Sequence, residues 1–262
     1  MNNNHTFIIC AYKESPYLEE CIKALKAQTI KSDIIISTST NNELITGLAN
    51  KYNIAVFEHN QGGNIGKDWN YGISIPKTKY FTLTHQDDIY MPDFLATNLA
   101  KLNKNNKAVL AFCNYDEIDS KSQLIPRTKN LKIKDLMLQP FKIFSGSRFV
   151  RNRVMSFGYP ICSPTATYNK NIIGDFKFSE TVCGAIDWEA HYRINKIRGS
   201  WYYSKKRNML HRIHSDSETS NAIINNKRTQ EETMMFEKYW PKFIVKLLMK
   251  FYINAQKTNN IK

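Results

Sequence analysis

The strongest constraint on the fold is the alternation of short apolar runs with helical patterns over the first 115 residues. The apolar runs have the length and composition of buried strands, and they lie at residues 6–11, 34–36, 54–57, 80–84 and 109–115. Between the early runs, apolar side chains recur at helical spacing. Strands and helices that alternate at this pitch predict a parallel sheet with right-handed crossovers.

We expect chemistry where the fourth of these strands ends. In the segment YFTLTHQDDIYM, residues 80–91, the apolar run stops at two adjacent carboxylates, Asp87 and Asp88. Ligands of open α/β sheets bind outside the carboxyl ends of the strands, and a divalent cation that bridges to phosphate relieves the repulsion between two carboxylates. A solvated turn before a helix N-terminus would also accept acidic residues, so the pair alone leaves both interpretations open.

Length, charge and motifs narrow the class of protein. The chain of 262 residues, 42% of them apolar, fits one large domain or a core domain with an elaborated C-terminal part. Its formal net charge of +14 predicts anionic partners: nucleic acid, lipid headgroups or phosphorylated substrates. Gly62 and Gly63 belong neither to a Gly-Lys-Ser/Thr loop nor to a GxGxxG pattern, which disfavours ATPases and dinucleotide oxidoreductases.

The five cysteines form no CxxC or Cys/His zinc pattern, and we interpret them as reduced thiols. The N-terminal residues lack the basic region and cleavage site of a signal peptide. No apolar run approaches the roughly 18–20 residues that span a bilayer. We therefore expect a cytoplasmic protein.

The second half of the chain offers further candidates. Asp187 begins a helical pattern at residues 184–193, where it could be a general base or only a helix N-cap. His214 follows two predicted strands, residues 201–203 and 209–214, and could be a metal ligand or a surface loop histidine. The basic segment 121–153 has aromatic residues between its charges, which permits an anionic acceptor surface.

Several segments, in this order, resemble family 2 glycosyltransferases, which are nucleotide-sugar-dependent enzymes of the GT-A fold. The similar segments are ICAYKESPYLEECIKALKAQT, NQGGNIGKDWNYG, HQDDIYMP, SPTATYNK, AIDWEAHYRI and HRIH. The resemblance implies an α/β GT-A domain, with a Rossmann-like, mostly parallel sheet flanked by helices, over residues 1–220. Its nucleotide-sugar half would cover about 1–118 and its acceptor half about 119–220, followed by a basic helical extension at 221–262.

The resemblance also implies roles for individual residues. Asp88 would hold a divalent metal, Mn or Mg, that binds the donor diphosphate, and His214 would reach the same metal or the diphosphate. Asp187 would be the general base, with Glu189 in reserve. The remaining implied contacts are with donor groups, and the residues are Ala11, Tyr12, Glu14, Ser37, Lys67, Asp87 and Arg212.

Three positions depart from the family pattern. The second strand ends in Ser37, Thr38 and Ser39 where an acidic pair usually reads the nucleobase. Ile186 stands where an acidic residue often precedes the base, and His85 stands at the first acidic position of the longer D-x-D-D pattern. We therefore expect metal ligation to depend mainly on Asp88.

The implied function is inverting, metal-dependent transfer of a sugar, of the hexosyl or N-acetylhexosaminyl type. The donor would be a nucleoside-diphosphate sugar, and the acceptor a glycan or lipid-linked hydroxyl in surface polysaccharide or lipooligosaccharide synthesis. The competing hypotheses are a basic nucleic-acid-binding protein, which has no recognition motif here, and a sugar nucleotidyltransferase, whose early glycine-rich loop is absent. We expect no nucleic acid partner.

The C-terminal segment from Pro241, KFIVKLLMKFYINAQK, predicts one more helix. Ile244, Leu247, Leu248 and Phe251 would line its apolar face, and lysines recur every four residues on another face. Such a helix could lie on the inner face of the cytoplasmic membrane, or it could pack onto the domain.

Overall fold

The computed structural model describes residues 4–60, 62–214 and 227–257, and strands alternate with helices through the first half of the chain as predicted. The strands are β1 (His5–Ala11), β2 (Asp33–Thr38), β3 (Ala55–Glu58), β4 (Tyr80–His85), β5 (Ile89–Tyr90), β6 (Ala108–Ile118), β7 (Ala166–Asn169) and β8 (Ser200–Arg212). The helices are α1 (Leu18–Lys26), α2 (Glu43–Tyr52), α3 (Ile65–Ser74), α4 (Phe94–Leu102), α5 (Lys129–Leu138), α6 (Pro140–Ile143), α7 (Arg148–Met155), α8 (Lys170–Ile173), α9 (Ile186–Ile194), α10 (Lys227–Glu237) and α11 (Lys242–Lys257).

The strands form one eight-stranded sheet in the order β3-β2-β1-β4-β7-β6-β8-β5. β1 pairs in parallel with β2 and β4, β2 with β3, and β6 with β8. β7 is antiparallel to both of its neighbours, and β5 is antiparallel to β8. The α/β class with a mostly parallel sheet is confirmed, and the antiparallel β7 is an addition that the alternation in the first half could not indicate.

Helices cover both faces of the sheet. In β1, the neighbouring residues Ile8 and Ile9 are both fully buried, and they belong to separate hydrophobic clusters. Ile8 packs in the cluster that contains Trp69 of α3, whereas Ile9 packs in the cluster that contains Leu18 of α1. Successive side chains of a strand point to opposite faces, so β1 is a central strand buried on both sides.

The long strand β8 differs from the prediction of two separate strands. It runs without interruption from Ser200 to Arg212, and its pairing with β6 shifts register around Asn114. An irregular register keeps one strand continuous while it bends, which is why the polar residues between the two apolar runs do not end it. Near its end, β8 pairs with β5 so that Leu210 lies opposite Ile89. This pairing brings the residues after Leu210 beside the loop that carries Asp87.

The C-terminal helix is present where predicted, directly after Pro241, and its buried face overlaps the predicted apolar face at Leu248, which packs against the cluster that contains Val245 and Met249. Val245 and Met249 are buried, and they join Trp188 of α9 and Phe236 of α10 in one hydrophobic cluster. Leu247, predicted to line the apolar face, is exposed, and the side chain of Phe251 lies outside the described residues. The reason is that this helix carries two apolar stripes, and the stripe with i, i+4 spacing at Val245 and Met249 meets the domain. Across the described part of the chain, no helix combines the length and the apolarity needed to cross a bilayer.

Candidate active site

Three potential metal ligands converge where β4 ends. His85 is the last residue of β4, and Asp87 and Asp88 occupy the turn that leads to β5. One ligand atom from each of these side chains lies within 4.8 Å of the others. Carboxylate oxygens suit hard divalent cations, and imidazole nitrogen is also a ligand for transition metals such as Mn²⁺.

Asp88 is the buried member of this group, with a side chain that is 0% exposed. Its Oδ1 accepts hydrogen bonds from the backbone N–H of Arg212 at 3.1 Å and from the His211 ring at 2.9 Å. Its Oδ2 has no hydrogen-bond partner and lies 3.8 Å from Nδ1 of His85. A buried carboxylate oxygen without a partner is costly, and a bound cation would supply the missing partner. The residues present therefore fit a divalent metal.

Asp87 is more accessible, with 17% of its side chain exposed. His214, which the resemblance placed at the metal, has its Nε2 at 2.9 Å from Oδ2 of Asp87. Burial opposes ionisation of Asp87, but the hydrogen bond to His214 and the nearby His85 and His211 outweigh it, so the pKa of Asp87 is lowered. Asp87 is thus held as an anion at the mouth of the cluster.

Two histidines of this site, His85 and His211, are not among the functional residues that the sequence predicts. The family pattern marks His85 only as a departure from an acidic position, but its place at the end of a strand, two residues before Asp87, is a usable signal of metal ligation. His211 had no such signal, because its contact with Asp88 depends on the pairing of β5 with β8. Burial disfavours the charged form of His211, yet Asp88 and Asp87 outweigh that effect and raise its pKa to about 9. His211 is therefore a cation at neutral pH that balances the charge of Asp88.

Arg212, predicted to bind substrate, lies almost entirely buried behind the acidic loop. Its guanidinium donates hydrogen bonds to the backbone carbonyl of Asp87 at 2.9 Å and to Oε2 of Glu20 at 2.5 Å. It also stacks over the ring of Tyr17, at 4.2 Å from the ring centre, and donates to the Ser122 hydroxyl. These contacts show that Arg212 fixes the conformation of the loop from within the protein.

Asp187 lies in the first turn of α9. The N-cap of that helix is Ala185, so the alternative that Asp187 is an N-cap residue is wrong. Oδ1 of Asp187 is buried and has no hydrogen-bond partner. Burial raises the pKa of Asp187, and the charges of His85 and His211 and the hydroxyl of Ser163 oppose that rise. Asp187 is therefore within electrostatic reach of the histidines that contact Asp88, and a raised pKa suits a general base.

Glu189, the reserve candidate for the base, has a different environment. Both of its carboxylate oxygens accept hydrogen bonds from the guanidinium of Arg193, with Oε1 at 2.7 Å from Nε. A carboxylate held in this way by an arginine is a poor proton acceptor. The geometry therefore favours Asp187.

The predicted nucleotide-binding residues lie along the edge of the sheet where β1 and β2 end. Ala11 closes β1 beside Thr38 of β2, and Ser37, one residue earlier in β2, is buried. Tyr12 follows β1, and its backbone forms two hydrogen bonds with the side chain of Gln86. The Tyr12 N–H donates to Oε1 of Gln86 at 3.1 Å, and the Gln86 amide donates to the Tyr12 carbonyl at 2.9 Å. These paired bonds join the loop after β1 to the acidic loop.

The other two predicted donor contacts are more open. Glu14 is exposed on the loop after β1, and Lys67 is partly exposed in the first turn of α3. Lys67 stands at a helix N-terminus that Asn64 caps by accepting from the backbone N–H of Gly66 at 2.8 Å. Glu14 thus lies on the same loop as Tyr12, whereas Lys67 lies on the helix that follows β3. Among the described residues, neither side chain forms a hydrogen bond or ion pair with His85, Asp87 or Asp88.

Comparisons with known proteins identify the family of this chain. The profile of the family described as "Glycosyl transferase family 2" matches residues 6–172. An uncharacterised glycosyltransferase of Rickettsia typhi is 27% identical over 250 residues, which cover 92% of this chain and 72% of that protein.

Solved structures show the same fold. S. aureus TarS in complex with UDP-GlcNAc superposes with a TM-score of 0.66 at 14% identity, covering 95% of this chain and 71% of that one. A mannosyltransferase from Pyrobaculum calidifontis in complex with GDP-Man and Mn²⁺ superposes with a TM-score of 0.66 at 13% identity, covering 90% and 63%. The GT-A architecture is thereby confirmed. The family profile spans well over half of the residues of this chain, and the chain therefore belongs to glycosyl transferase family 2.

Proposed function

We propose that this glycosyltransferase is metal-dependent and inverting, and that it moves a sugar from a nucleoside-diphosphate sugar to an acceptor hydroxyl. One observation supports this most directly. Asp88 and Asp187 each have a buried carboxylate oxygen without a hydrogen-bond partner. His85 lies 3.8 Å from Asp88, and its charge also favours the ionised form of Asp187. Asp88 lies beside potential metal ligands, which fits a site for the donor diphosphate. Asp187 lies on a separate helix, which fits a general base on the acceptor side.

On the donor side, Asp87, Asp88 and His85 would hold the Mn²⁺ or Mg²⁺ ion. When bound, this ion neutralises the charge that develops on the diphosphate leaving group. Asp87 is the more exposed carboxylate and is the one an arriving cation would reach. Asp88 keeps one oxygen directed at the cluster, while its other oxygen is fixed by His211 and by the backbone of Arg212.

On the acceptor side, Asp187 would take the proton from the attacking hydroxyl. Its burial keeps the carboxylate poorly solvated, so a hydroxyl group can supply the hydrogen bond that its Oδ1 lacks. The hydroxyl then attacks directly as the diphosphate departs from the opposite side of the sugar ring. A single displacement of this kind inverts the anomeric configuration.

The donor nucleotide would lie over the ends of β1 and β2, in contact with Ala11, Tyr12, Glu14, Ser37 and Lys67. The bonds between Gln86 and Tyr12 support this placement because they hold the nucleotide loop and the acidic loop in a fixed relation. Nucleotide sugars bound to TarS and to the mannosyltransferase support a donor of the same class.

The acceptor would be a glycan or a lipid-linked sugar used in surface polysaccharide or lipooligosaccharide synthesis. The outer face of α11 supports association with an anionic membrane. Phe243 and Leu247 are 74% and 56% exposed, and they lie among the exposed Lys242, Lys246 and Lys250. Apolar side chains can enter the lipid interface, and each lysine near an anionic surface contributes about 1 kcal/mol. The enzyme would then act at the inner face of the cytoplasmic membrane.

The two competing hypotheses gain no support from the contacts. In the basic segment, Arg127 pairs with Asp116 and Asp135, and Arg151 is buried with hydrogen bonds to Asn195 and neighbouring carbonyls. These two arginines are engaged inside the protein and are not available to a nucleic acid, whereas Lys121, Lys129, Lys132 and Lys142 are exposed. Family membership likewise favours glycosyl transfer over nucleotidyl transfer.

Release of nucleoside diphosphate from a panel of nucleotide sugars tests the proposed function. We expect release from at least one donor with Mn²⁺ or Mg²⁺, and loss of release when a chelator removes the metal. Equal release with and without the chelator would contradict metal dependence. Binding that weakens steeply with salt to nucleic acid, without any donor turnover, would favour the nucleic-acid hypothesis.

A further inference from the structure

A cavity of about 270 Å³ lies between α7 and the end of α9, and we call it the α7–α9 cavity. Its lining residues are Arg148, Phe149, Asn152, Tyr192, Asn195 and Lys196. Asp187 lies at the other end of α9, about 12 Å along the helix axis from Asn195. The α7–α9 cavity is therefore separate from the proposed metal and general-base residues.

Both segments that line the cavity come from stretches without acidic residues. No Asp or Glu occurs in residues 136–174 or in residues 190–215. Arg148 and Lys196 are exposed, and within the described part of the chain neither of them pairs with a carboxylate. The cavity thus has positive charge that the described acids do not balance, and such a site attracts anions.

A buried arginine next to the cavity adds to this charge. Arg151 is fully buried, and its guanidinium donates to Oδ1 of Asn195 at 2.6 Å and to the backbone carbonyls of Ser145 and Gly199. Its Nη2 has no hydrogen-bond partner. Burial, followed by the charge of Arg148, lowers the pKa of Arg151 to about 10, so it is still a cation at neutral pH. A buried arginine is rarely left without a paired anion, and none of the described carboxylates pairs with this one.

Hydrogen bonds hold the walls of the cavity in place. Nε of Arg148 donates to the backbone carbonyl of Asn195 at 3.0 Å, and the Asn195 amide donates to Oδ1 of Asn152 at 3.0 Å. The ammonium of Lys196 lies 5.0 Å from the ring centre of Tyr192. Because Arg148 uses Nε for this contact, its two terminal amino groups can bind two oxygens of one phosphate.

The surface around the cavity is apolar and continues to α11. Phe149 and Phe157 are 73% and 51% exposed. The guanidinium of Arg153 lies 5.9 Å from the ring centre of Phe149 and 5.1 Å from that of Trp240, and the Phe157 ring lies 5.5 Å from the Trp240 ring. Trp240 stands just before α11, whose outer face is also apolar and basic. Exposed phenylalanines beside unpaired cations are suited to the interface of an anionic membrane.

We propose that the α7–α9 cavity binds the phosphate of an anionic phospholipid headgroup, and that it orients the enzyme on the membrane together with the outer face of α11. This inference rests on the membrane association in the proposed function, and it adds the lipid group that is bound and a second contact surface. A soluble anionic glycan could also enter a cationic cavity. It would leave Phe149 and Phe157 in water, however, whereas a membrane covers them.

Co-sedimentation with phosphatidylcholine vesicles, with and without phosphatidylglycerol, tests this assignment. We expect the double change Arg148→Gln and Lys196→Gln to lower the partition coefficient on phosphatidylglycerol vesicles at least about tenfold. Lys196→Glu alone changes only one exposed side chain, and it should also weaken the binding. Phe149→Ser should weaken it as well, because a ring that enters the lipid interface is lost. Each variant should keep its melting temperature and its donor turnover without vesicles.

The matched control is the double change Lys26→Gln and Lys104→Gln, which removes the same charge from two exposed positions. These lysines belong to α1 and to the end of α4, which pack on the face of the sheet opposite to α7 and α9. The control should change the partition coefficient less than about twofold, because charges far from the membrane are screened.

Three results would overturn the inference. The first is an equal loss of binding in the control and in the cavity variant, which would mean that only net charge matters. The second is unchanged vesicle binding of both Lys196→Glu and the double cavity variant, which would leave α11 as the only membrane contact. The third is binding of inorganic phosphate without binding to either kind of vesicle, which would assign the cavity to a soluble anion. The third result would also remove the membrane association from the proposed function, whereas donor turnover, measured without vesicles, tests glycosyl transfer separately.

Discussion

The carboxylate of Glu231 accepts a hydrogen bond from the backbone N–H of Ala185 at 3.0 Å, two residues before Asp187. The same carboxylate accepts from the N–H of Cys183 at 3.1 Å. Because Ala185 is the N-cap of α9, Glu231 satisfies backbone donors at the start of the helix that carries the proposed base. Helix α10 therefore fixes the position of Asp187.

This relationship predicts that Glu231→Ala lowers kcat about tenfold while the KM for the donor changes little, because the base moves and the donor site does not. Glu231→Gln keeps an acceptor oxygen and should retain most of the activity. Glu237→Ala, at an exposed position of the same helix, is the matched control. Steady-state kinetics of the three variants provide the measurement, and a fully active Glu231→Ala enzyme would show that this contact does not position the base.

The acidic loop predicts a loss of metal-dependent donor binding when either carboxylate is removed. Asp88→Ala should abolish transfer, because it removes the unpartnered oxygen and leaves the charge of His211 without its partner. Asp87→Ala should weaken donor binding in the presence of Mn²⁺ by at least about tenfold. Calorimetric titration of donor with and without metal measures both effects.

Asp93→Asn, which changes an exposed acid a few residues further along, is the control for these variants. It should bind donor and metal as the unmodified protein does. Near-normal turnover of Asp88→Ala with Mn²⁺ or Mg²⁺ would show that this loop is not the metal site.

Asp187→Asn should lower kcat by about 10²–10⁴-fold and leave donor affinity largely intact, because the amide keeps the shape but cannot accept the proton. Glu189→Gln should be far less harmful to kcat, since Glu189 is engaged with Arg193. Kinetics together with donor binding separate the two variants. An active Asp187→Asn enzyme beside an inactive but folded Glu189→Gln enzyme would transfer the role of base to Glu189.

Asp187→Asn should also change the melting temperature of the protein, and the direction of that change follows from the raised pKa of Asp187. The pKa of Asp187 is raised in the folded protein, mainly by burial, so its ionisation opposes folding once the pH exceeds the pKa of an unfolded aspartate, about 3.9. Asp187→Asn should therefore melt at the same or a higher temperature than the unmodified protein near neutral pH. The difference should vanish in stronger acid, where both side chains are neutral. A variant that melts lower at neutral pH would be inconsistent with a desolvated carboxylate.

Membrane association predicts co-sedimentation with anionic vesicles at low salt and little with neutral vesicles. The double change Phe243→Ser and Leu247→Ser should reduce this binding, because both side chains are exposed on α11. Substitution is a cleaner test than truncation after Trp240, since Val245 and Met249 are part of a hydrophobic cluster with α9 and α10. If the variant and the unmodified protein sediment alike, α11 is only a packing element.

The parts of the site that are local in sequence could be predicted from it. The strand before Asp87 and Asp88 and the helix that carries Asp187 are each defined by a short pattern. The contact between His211 and Asp88 could not be predicted, because it joins residues 123 positions apart through the pairing of β5 with β8.

The anomeric configuration of the first-formed product tests the central claim most directly. In the proposed mechanism, Asp187 is the single base that activates the acceptor hydroxyl opposite the metal-binding acids, so attack and departure occur in one displacement. Proton NMR at early times follows the reaction of a nucleotide sugar that the enzyme turns over in the presence of Mn²⁺. The sugar that is released or transferred should have the anomeric configuration opposite to that of the donor. Retention of the donor configuration in the first-formed product would contradict the role of Asp187 and the account as a whole.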